Sequence, residues 1–294
     1  MTGNDFAAFI LTHGRAEKVI TYKTLKEQGY TGKIVIVIDN EDKQGELYKE
    51  KFGDMVQVFS KDEISKKFDQ MDTSTDRRCI VYARNACFDI AEKLGIKYFI
   101  QLDDDYTRFE MRKISEGRLL THKIKNLDLL FEKMVQFYED SNCLTVAMAQ
   151  GGDFIGGAKG GNFKKGICRK AMNSFICKTD NRFNFIGRVN EDVNTYTFLG
   201  SQGKKIFTLT DVNLCQVTTQ QNAGGMSEMY LDSGTYLKSF YSVMIMPSSV
   251  KISTMGNTMM RIHHSIKWNN TVPMIISEKH RKIRGENYGR EKRT

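Results

Sequence analysis

The fold of this chain is decided by the stretch Tyr98-Phe99-Ile100-Gln101-Leu102-Asp103-Asp104-Asp105-Tyr106, in which an apolar run ends in three consecutive acids. Like charges crowded at one point repel each other, so the run costs stability unless a cation or a hydrogen-bonding ligand is present. Carboxylates are hard oxygen ligands that suit Mg²⁺ or Mn²⁺, which are often shared with substrate phosphates. The pattern therefore predicts a metal–diphosphate site at the end of a strand, with a solvated acidic turn as the alternative.

Strands and helices alternate on both sides of this run. Hydrophobic patterning predicts buried strands at 6–12, 33–39, 55–59 and 97–102, and helices at 16–28, 81–94 and 121–140. The alternation predicts an α/β fold with a mostly parallel, Rossmann-like sheet flanked by helices, as one domain with a C-terminal extension. Ligands of such sheets bind outside the carboxyl ends of the strands. We therefore expect His13, Asp39 and the three acids to converge in one crevice.

The second half of the chain is patterned differently. Glycine pairs punctuate residues 151–161, which predicts either a mobile loop that meets acceptor or product, or a β-hairpin. A P-loop is not expected, because no Gly-Lys-Ser/Thr ending follows a strand. A helical segment follows residue 192, and a strand is predicted to start at about residue 203. From Glu278 onward Lys and Arg dominate, which predicts a frayed helix or a disordered basic tail.

Composition narrows the class of partner and the compartment. The 294 residues carry a formal net charge of +9, which favours a polyanionic partner such as nucleic acid, an anionic membrane or a phosphorylated substrate. Six cysteines without a Cys-x-x-Cys pair predict buried free thiols in a reducing cytosol. No stretch reaches the roughly 18 apolar residues of a membrane span, and no export signal is seen. We expect a cytoplasmic protein, in the host cytoplasm if phage-encoded, without stable membrane association.

Four motifs occur in a fixed order along the first third of the chain. They are Thr12-His13-Gly14-Arg15 after the first strand, Asp39 at the end of the second, Ala83-Arg84-Asn85 opening a helix, and the Asp-x-Asp of residues 103–105; Asn190-Glu191-Asp192 follows much later. In this order the chain resembles, over about residues 6–220, nucleotide-sugar-dependent glycosyltransferases of the GT-A fold. Within that fold it is most similar to phage DNA-modifying glycosyltransferases of the type associated with TET/JBP base oxidases. Those enzymes attach a sugar to hydroxymethylated pyrimidines in DNA.

The resemblance implies a domain organisation. Residues 1–220 would form the GT-A catalytic domain, with a nucleotide-sugar-binding half at 1–110 and an acceptor half at 111–220. Residues 221–277 would complete the site, and residues 278–294 would be the basic tail.

The resemblance also implies a donor site. Asp103 and Asp105 would bind Mn²⁺ or Mg²⁺ and the donor's ribose, and a UDP-sugar is the implied donor. Asp104 is also expected among the donor-binding residues. Strand alternation, however, would point its side chain to the opposite face, where it would hydrogen-bond structural groups. Thr12, Arg15 and Asp39 would lie beside the nucleotide, and Arg84 and Asn85 would position the donor sugar or diphosphate.

Two further pairs receive roles from the same resemblance. Asp192 would be the general base and Glu191 its structural neighbour, with a helix-capping pair as the alternative. His263 or His264 would be a third metal ligand, and at most one of them, because neighbours in a strand point to opposite faces. Trp268 and Tyr288 are candidates for stacking on a base.

The leading hypothesis is a metal-dependent glycosyltransferase acting on modified bases in DNA. A second hypothesis keeps the enzyme but makes the acceptor a protein, a glycan or a lipid-linked sugar. A non-catalytic nucleic-acid-binding module is a third, and a nucleotidyltransferase using the same metal chemistry remains open.

Overall fold

The computed structural model describes residues 5–217, 226–255, 260–272 and 275–280. The strands and helices follow one another as β1 (Phe6–Leu11), α1 (Ile20–Glu27), β2 (Lys33–Asp39), α2 (Gly45–Phe52), β3 (Val56–Phe59), α3 (Lys61–Ser65), α4 (Val81–Lys93), β4 (Tyr98–Asp103), β5 (Tyr106–Ser115), β6 (Arg118–Lys123), α5 (Leu127–Ser141), β7 (Thr145–Ala149), β8 (Phe175–Lys178), α6 (Glu191–Ser201), β9 (Ile206–Gln216), α7 (Met226–Ile245), β10 (Val250–Met255) and β11 (Arg261–Ile266). Most of the predicted basic tail, including Tyr288, lies outside the described residues.

Within the described ranges, nine strands form one sheet in the order β3-β2-β1-β4-β8-β7-β9-β5-β6. The strands β3, β2, β1 and β4 are parallel, and their order is that of the nucleotide-binding half of doubly wound folds. Beyond β4 the sheet is mixed, because β8 runs antiparallel to both β4 and β7. The predicted α/β class, with helices flanking the sheet, is confirmed. A separate antiparallel pair, β10 and β11, packs against α7.

The core lies on both sides of the parallel strands. Successive side chains of a strand point to opposite faces, and β1 is apolar at every position. Ala8 and Ile10 pack on one side with the apolar residues of α1 and α5. Phe9 packs on the other side with α4, and its ring stacks on that of Phe99 at 5.0 Å. A strand buried on both faces gives the continuous apolar run from which it was predicted.

A hairpin between β4 and α5 was not predicted. The helix expected over 121–140 begins only at Leu127, and residues 118–123 form β6 instead. The turn is two residues long, and both Glu116 (φ 50°) and Gly117 (φ 73°) have positive φ, as a type I′ hairpin turn requires. Residues 111–123 of the hairpin are exposed or partly exposed on both faces, so their sequence lacks the alternation of apolar and polar residues that marks a half-buried strand.

The glycine-rich segment has a defined course. It forms three 3₁₀ turns, at Gly151–Phe154, Gly157–Lys159 and Phe163–Lys165. The β-hairpin interpretation of this segment is therefore wrong. Gly160 lies so close to the carbonyl oxygen of Ile155 that a β-carbon would fall 2.2 Å from that atom. Glycine is thus required here for close backbone packing.

The structure bears on two predictions made from composition, one about the cysteines and one about membrane-spanning segments. The six cysteines are free, and Cys87, Cys143 and Cys177 are buried. Among the described residues, no helix combines the length and the apolar character that crossing a membrane requires.

The base of the hairpin is held by one buried amide. The Gln28 side chain donates to the carbonyl oxygens of Phe109 and Ile124, at 2.8 and 2.6 Å, and accepts from the Phe109 N–H at 2.9 Å. Replacing Gln28 by Ala removes these three bonds; the Phe109 carbonyl keeps the bond from the Ile124 N–H, whereas the buried Ile124 carbonyl and Phe109 N–H lose this partner. We expect the free energy of unfolding to fall by about 2–4 kcal/mol, measured by urea denaturation. The exposed Gln136 supplies the matched control, Gln136→Ala, and an equal loss in both variants would contradict the assignment.

Candidate active site

The first turn after β1 is tied to the middle acid of the Asp-x-Asp run. Asp104 accepts hydrogen bonds from the Thr12 hydroxyl at 2.7 Å and from Nη1 of Arg15 at 3.0 Å. The Tyr48 hydroxyl closes this network by accepting from the backbone N–H of Arg15. Asp104 is buried, and burial raises its pKa, while Arg15 and Thr12 act in the opposite direction. Asp104 thus shapes the turn from inside, as strand alternation suggested.

A second polar cluster lies at the end of β2. Asp39 contacts Nδ1 of His13 at 2.6 Å and Nζ of Lys61 at 3.0 Å. Burial alone would raise the pKa of Asp39, but the bond from His13 and the charge of Lys61 hold the pKa below its usual value. The predicted convergence of His13 and Asp39 is confirmed. Lys61, a buried lysine that opens α3, was missed because a single lysine carries no sequence signal.

The centre of the site is a buried guanidinium. Arg84 is only 1% exposed. It donates through Nε to Glu191 at 3.0 Å and through Nη2 to Asp103 at 3.1 Å. Its guanidinium also lies over the ring of Phe175 at 5.0 Å and near that of Phe185 at 5.8 Å. Arg84 therefore joins the acid at the end of β4, 19 residues along the chain, to the acid that begins α6, 107 residues along the chain.

The three consecutive acids have different surroundings. Asp103 pairs with Arg84 and Asp104 with Arg15, whereas Asp105 makes no ion pair with any described residue. Burial, reinforced by the charge of Asp104, raises the pKa of Asp105 to about 6. The pKa of Asp103 is also raised to about 6 by burial, against the effect of Arg84. A cation near Asp105 would stabilise the charged forms of both.

The two acids of α6 are also unequal. The helix begins after Asn190, which adopts a left-handed conformation (φ 54°) and makes no side-chain cap. Glu191 is 8% exposed and bound to Arg84, and burial together with the charge of Asp192 raises its pKa. Asp192 is less buried, and its carboxylate accepts from the N–H of Val193 at 2.8 Å. Acidic side chains in the first turn of a helix interact favourably with the helix dipole. The Glu191 carboxylate, however, binds Arg84 and does not cap the helix.

A basic group lies next to these acids. Lys170 is half-buried; burial lowers its pKa, and the nearby Asp192 opposes this shift. The charge of Lys170 and burial lower the pKa of His264 to about 3. Both ring nitrogens of His264 are buried and have no hydrogen-bond partner in the described part of the chain, and the ring of His264 stacks on that of His263 at 4.4 Å. Lys170 was missed, because a lysine at the end of a glycine-rich segment is ordinarily solvated.

Other predicted site residues have structural partners. Asn85 bonds both backbone groups of Phe185, at 2.9 Å each. Trp268 stacks on Tyr196, with ring centroids 5.8 Å apart. These contacts engage the polar end of Asn85 and one face of Trp268 within the protein.

The acids fit a metal that arrives with the substrate better than a resident one. Within the described ranges, no group of three His, Cys, Asp or Glu side chains could hold a metal ion. A magnesium ion bound with a diphosphate needs only one or two carboxylates, since phosphate oxygens and water complete its shell. Asp105, which forms no ion pair with a cation of the described residues, and its neighbour Asp103 meet that requirement. Neither His263 nor His264 forms a metal-binding group with these acids in the described ranges, so their role as metal ligands stays a prediction.

Comparison with known proteins identifies a family. The family model described as TET-Associated Glycosyltransferase matches residues 6–225. Among curated proteins there is no match. One similar solved structure is the glucosyl-3-phosphoglycerate synthase of Mycobacterium tuberculosis in complex with Mn²⁺, UDP and phosphoglyceric acid, at 10% identity and a TM-score of 0.42, covering 92% of this chain and 90% of that one. Another is S. aureus TarS 1–349, at 16% identity and a TM-score of 0.41, covering 71% and 60% respectively.

The ion pairs that join Arg84 to Asp103 and Glu191, here called the Arg84 bridge, can be tested by measuring the free energy of unfolding. Arg84→Met leaves Asp103 and Glu191 without their shared cation, so we expect the free energy of unfolding to fall by about 3–5 kcal/mol. Arg182 also pairs with two carboxylates, those of Asp89 and Glu92, but it is exposed. Arg182→Met should therefore cost about 1 kcal/mol or less. Urea denaturation at neutral pH measures both variants, and losses of equal size would contradict the bridge.

Proposed function

The chain belongs to the TET-associated glycosyltransferase family, and we propose that it moves a sugar from a UDP-sugar to a hydroxymethylated pyrimidine base in DNA with the help of Mn²⁺ or Mg²⁺. The observation that carries the proposal is the Arg84 bridge. It joins the Asp-x-Asp strand end of a nucleotide-binding half-sheet to the acid pair of α6. Donor-binding and acceptor-activating groups are thereby held in one site.

The donor would lie at the carboxyl ends of the parallel strands. In doubly wound sheets this is the edge where nucleotides bind, and here it carries Thr12, His13, Asp39 and the acid run. Asp103 and Asp105 would hold the divalent ion together with the diphosphate. The ion, when bound, supplies positive charge that stabilises the departing nucleoside diphosphate. Asp104 would contribute indirectly by fixing the conformation of residues 12–15.

The acceptor hydroxyl would react next to Asp192. Asp192 would take the hydroxyl proton as the oxygen bonds to the anomeric carbon of the sugar. The bond from that carbon to the donor phosphate oxygen breaks, and UDP leaves with the electron pair. Glu191 is unsuited to this role, because its carboxylate is buried against Arg84. A target base within a duplex would first have to leave the stack.

The proposed activity is tested with two separate readouts. The protein is first incubated with UDP-glucose and other nucleotide sugars, with and without Mn²⁺, and thermal unfolding is followed, since a bound donor stabilises the native state. We expect a stabilisation that requires both donor and metal, and the absence of any response would contradict donor binding. The same mixtures then receive duplex DNA containing 5-hydroxymethylcytosine. A mass increase of one sugar on the DNA is expected, whereas donor breakdown without it would contradict the DNA acceptor.

The different roles proposed for Asp192 and Glu191 give a further prediction. Removing a general base costs about 10²–10⁴-fold in rate, so Asp192→Asn should lower turnover by that factor. The donor-dependent thermal shift should remain, because Asp192 has no assigned donor contact. Glu191→Gln should chiefly lower stability, since it weakens the buried pair with Arg84. Initial rates and denaturation curves of both variants provide the measurement, and an Asp192→Asn enzyme with full turnover would contradict the assignment.

A further inference from the structure

The hairpin of β5 and β6 projects beyond the rest of the sheet. The pairing between β5 and β9 ends at Met111 and Val212, whereas β5 and β6 remain paired up to Ser115 and Arg118. We call residues 112–121 the ribbon. It begins a few residues after Asp105, so the base of the hairpin adjoins the candidate active site. In the described part of the chain, β6 is the outermost strand of the sheet and its outer edge pairs with no other strand.

The ribbon and the hairpin ends are strongly basic and exposed. Residues 106–125 contain six basic and two acidic side chains. One of the two acids, Glu110, is buried and paired with Arg108 and Arg112. The exposed cations are Arg108, which pairs with Glu110, and those at positions 113, 118, 123 and 125. Lys113 and Arg118 share one face of the ribbon, because Arg118 pairs with Ser115, two residues after Lys113.

The glycine-rich segment continues this basic surface toward the catalytic acids. Its first turn meets the hairpin where the guanidinium of Arg112 lies over the ring of Phe154, at 4.6 Å. Its second turn, Gly157–Lys159, contacts β6. The third turn carries the exposed Lys164 and Lys165. The segment then leads to Lys170, which lies within electrostatic reach of both Lys165 and Asp192. Lysine side chains thus continue along the chain from the part of the segment that contacts the hairpin to Lys170, near Asp192.

We propose that this surface, made of the ribbon and residues 159–165, binds the phosphate backbone of the acceptor duplex and guides it to Asp192. The inference rests on the proposed function and adds to it the place where the acceptor is held. Closely spaced phosphates are neutralised by Lys and Arg side chains, whose binding releases counterions. A two-stranded ribbon is also one of the elements that a DNA major groove admits.

Protection of an exposed sheet edge is the competing explanation of these charges. Charged side chains on an edge strand prevent it from pairing with other chains, and Met111, Ile114 and Leu120 are exposed on the hairpin. Substituting Lys or Arg by Glu separates the two explanations. A Glu side chain still protects the edge by its charge, but it repels a phosphate backbone.

The experiment compares two reversal variants with a control of equal charge change. Lys113→Glu/Arg118→Glu alters the ribbon, and Lys164→Glu/Lys165→Glu alters the glycine-rich segment. The control Lys49→Glu/Lys93→Glu alters exposed lysines of α2 and α4, which pack against β1–β4, away from the hairpin edge. Binding to a short fluorescent duplex containing 5-hydroxymethylcytosine is measured by anisotropy over a range of salt concentrations. Donor binding is followed in parallel by thermal shift with UDP-glucose and Mn²⁺.

We expect each reversal variant to bind the duplex at least about tenfold more weakly and to lose about two units of the salt slope. The control should bind as the unmodified protein does, and all three variants should keep the donor-dependent thermal shift. Duplex binding by the reversal variants that equals the control would overturn this inference while leaving the proposed function intact. If the unmodified protein itself binds no duplex, the DNA-acceptor part of the proposed function fails instead.

Discussion

The site depends on the burial of one charge, the guanidinium of Arg84. An arginine cannot lose its proton in a protein, so its burial is tolerable only with carboxylates and aromatic faces around it. Asp103 and Glu191 supply the carboxylates, and Phe175 and Phe185 supply the rings. The cation therefore fixes where the end of β4 and the start of α6 lie relative to each other. The proposed transfer between donor and acceptor would depend on that relative position.

The need to pair each buried charge also explains why the three neighbouring acids have different roles. Asp104 is neutralised from within by Arg15 and Thr12, and it holds the turn that follows β1. Asp103 is neutralised by Arg84. Asp105 is the member of the run without a cationic partner among the described residues, and burial holds its pKa near 6. A site that is electrostatically incomplete in this way suits a divalent ion that arrives with a diphosphate, which is the basis of the proposed chemistry.

The strands that could be predicted from the sequence are the buried ones. The strands β1, β2 and β4 are buried on both faces, and their apolar runs, interrupted in β4 by Gln101, predicted them to within one residue. The β5–β6 hairpin left no such pattern, since most of its side chains face water and its turn uses Glu-Gly rather than the commoner Asn-Gly. The glycine-rich segment was equally ambiguous, because glycine marks close backbone approach as readily as a loop. Its three 3₁₀ turns depend on contacts with β6 and β9 that no local pattern encodes.

The local sequence determined the α/β class, the strand ends at which polar residues collect, and the acid run that marks the candidate site. These follow from periodicity and from charge, which are properties of neighbouring residues. Only the tertiary structure decided which acid meets which cation, because those partners are separated by up to 107 residues. It placed Lys61 on Asp39, Lys170 near Asp192, and Glu191 on Arg84. Each of these pairings depends on how helices pack across the sheet, and a buried charge can be recognised only when its partner is known.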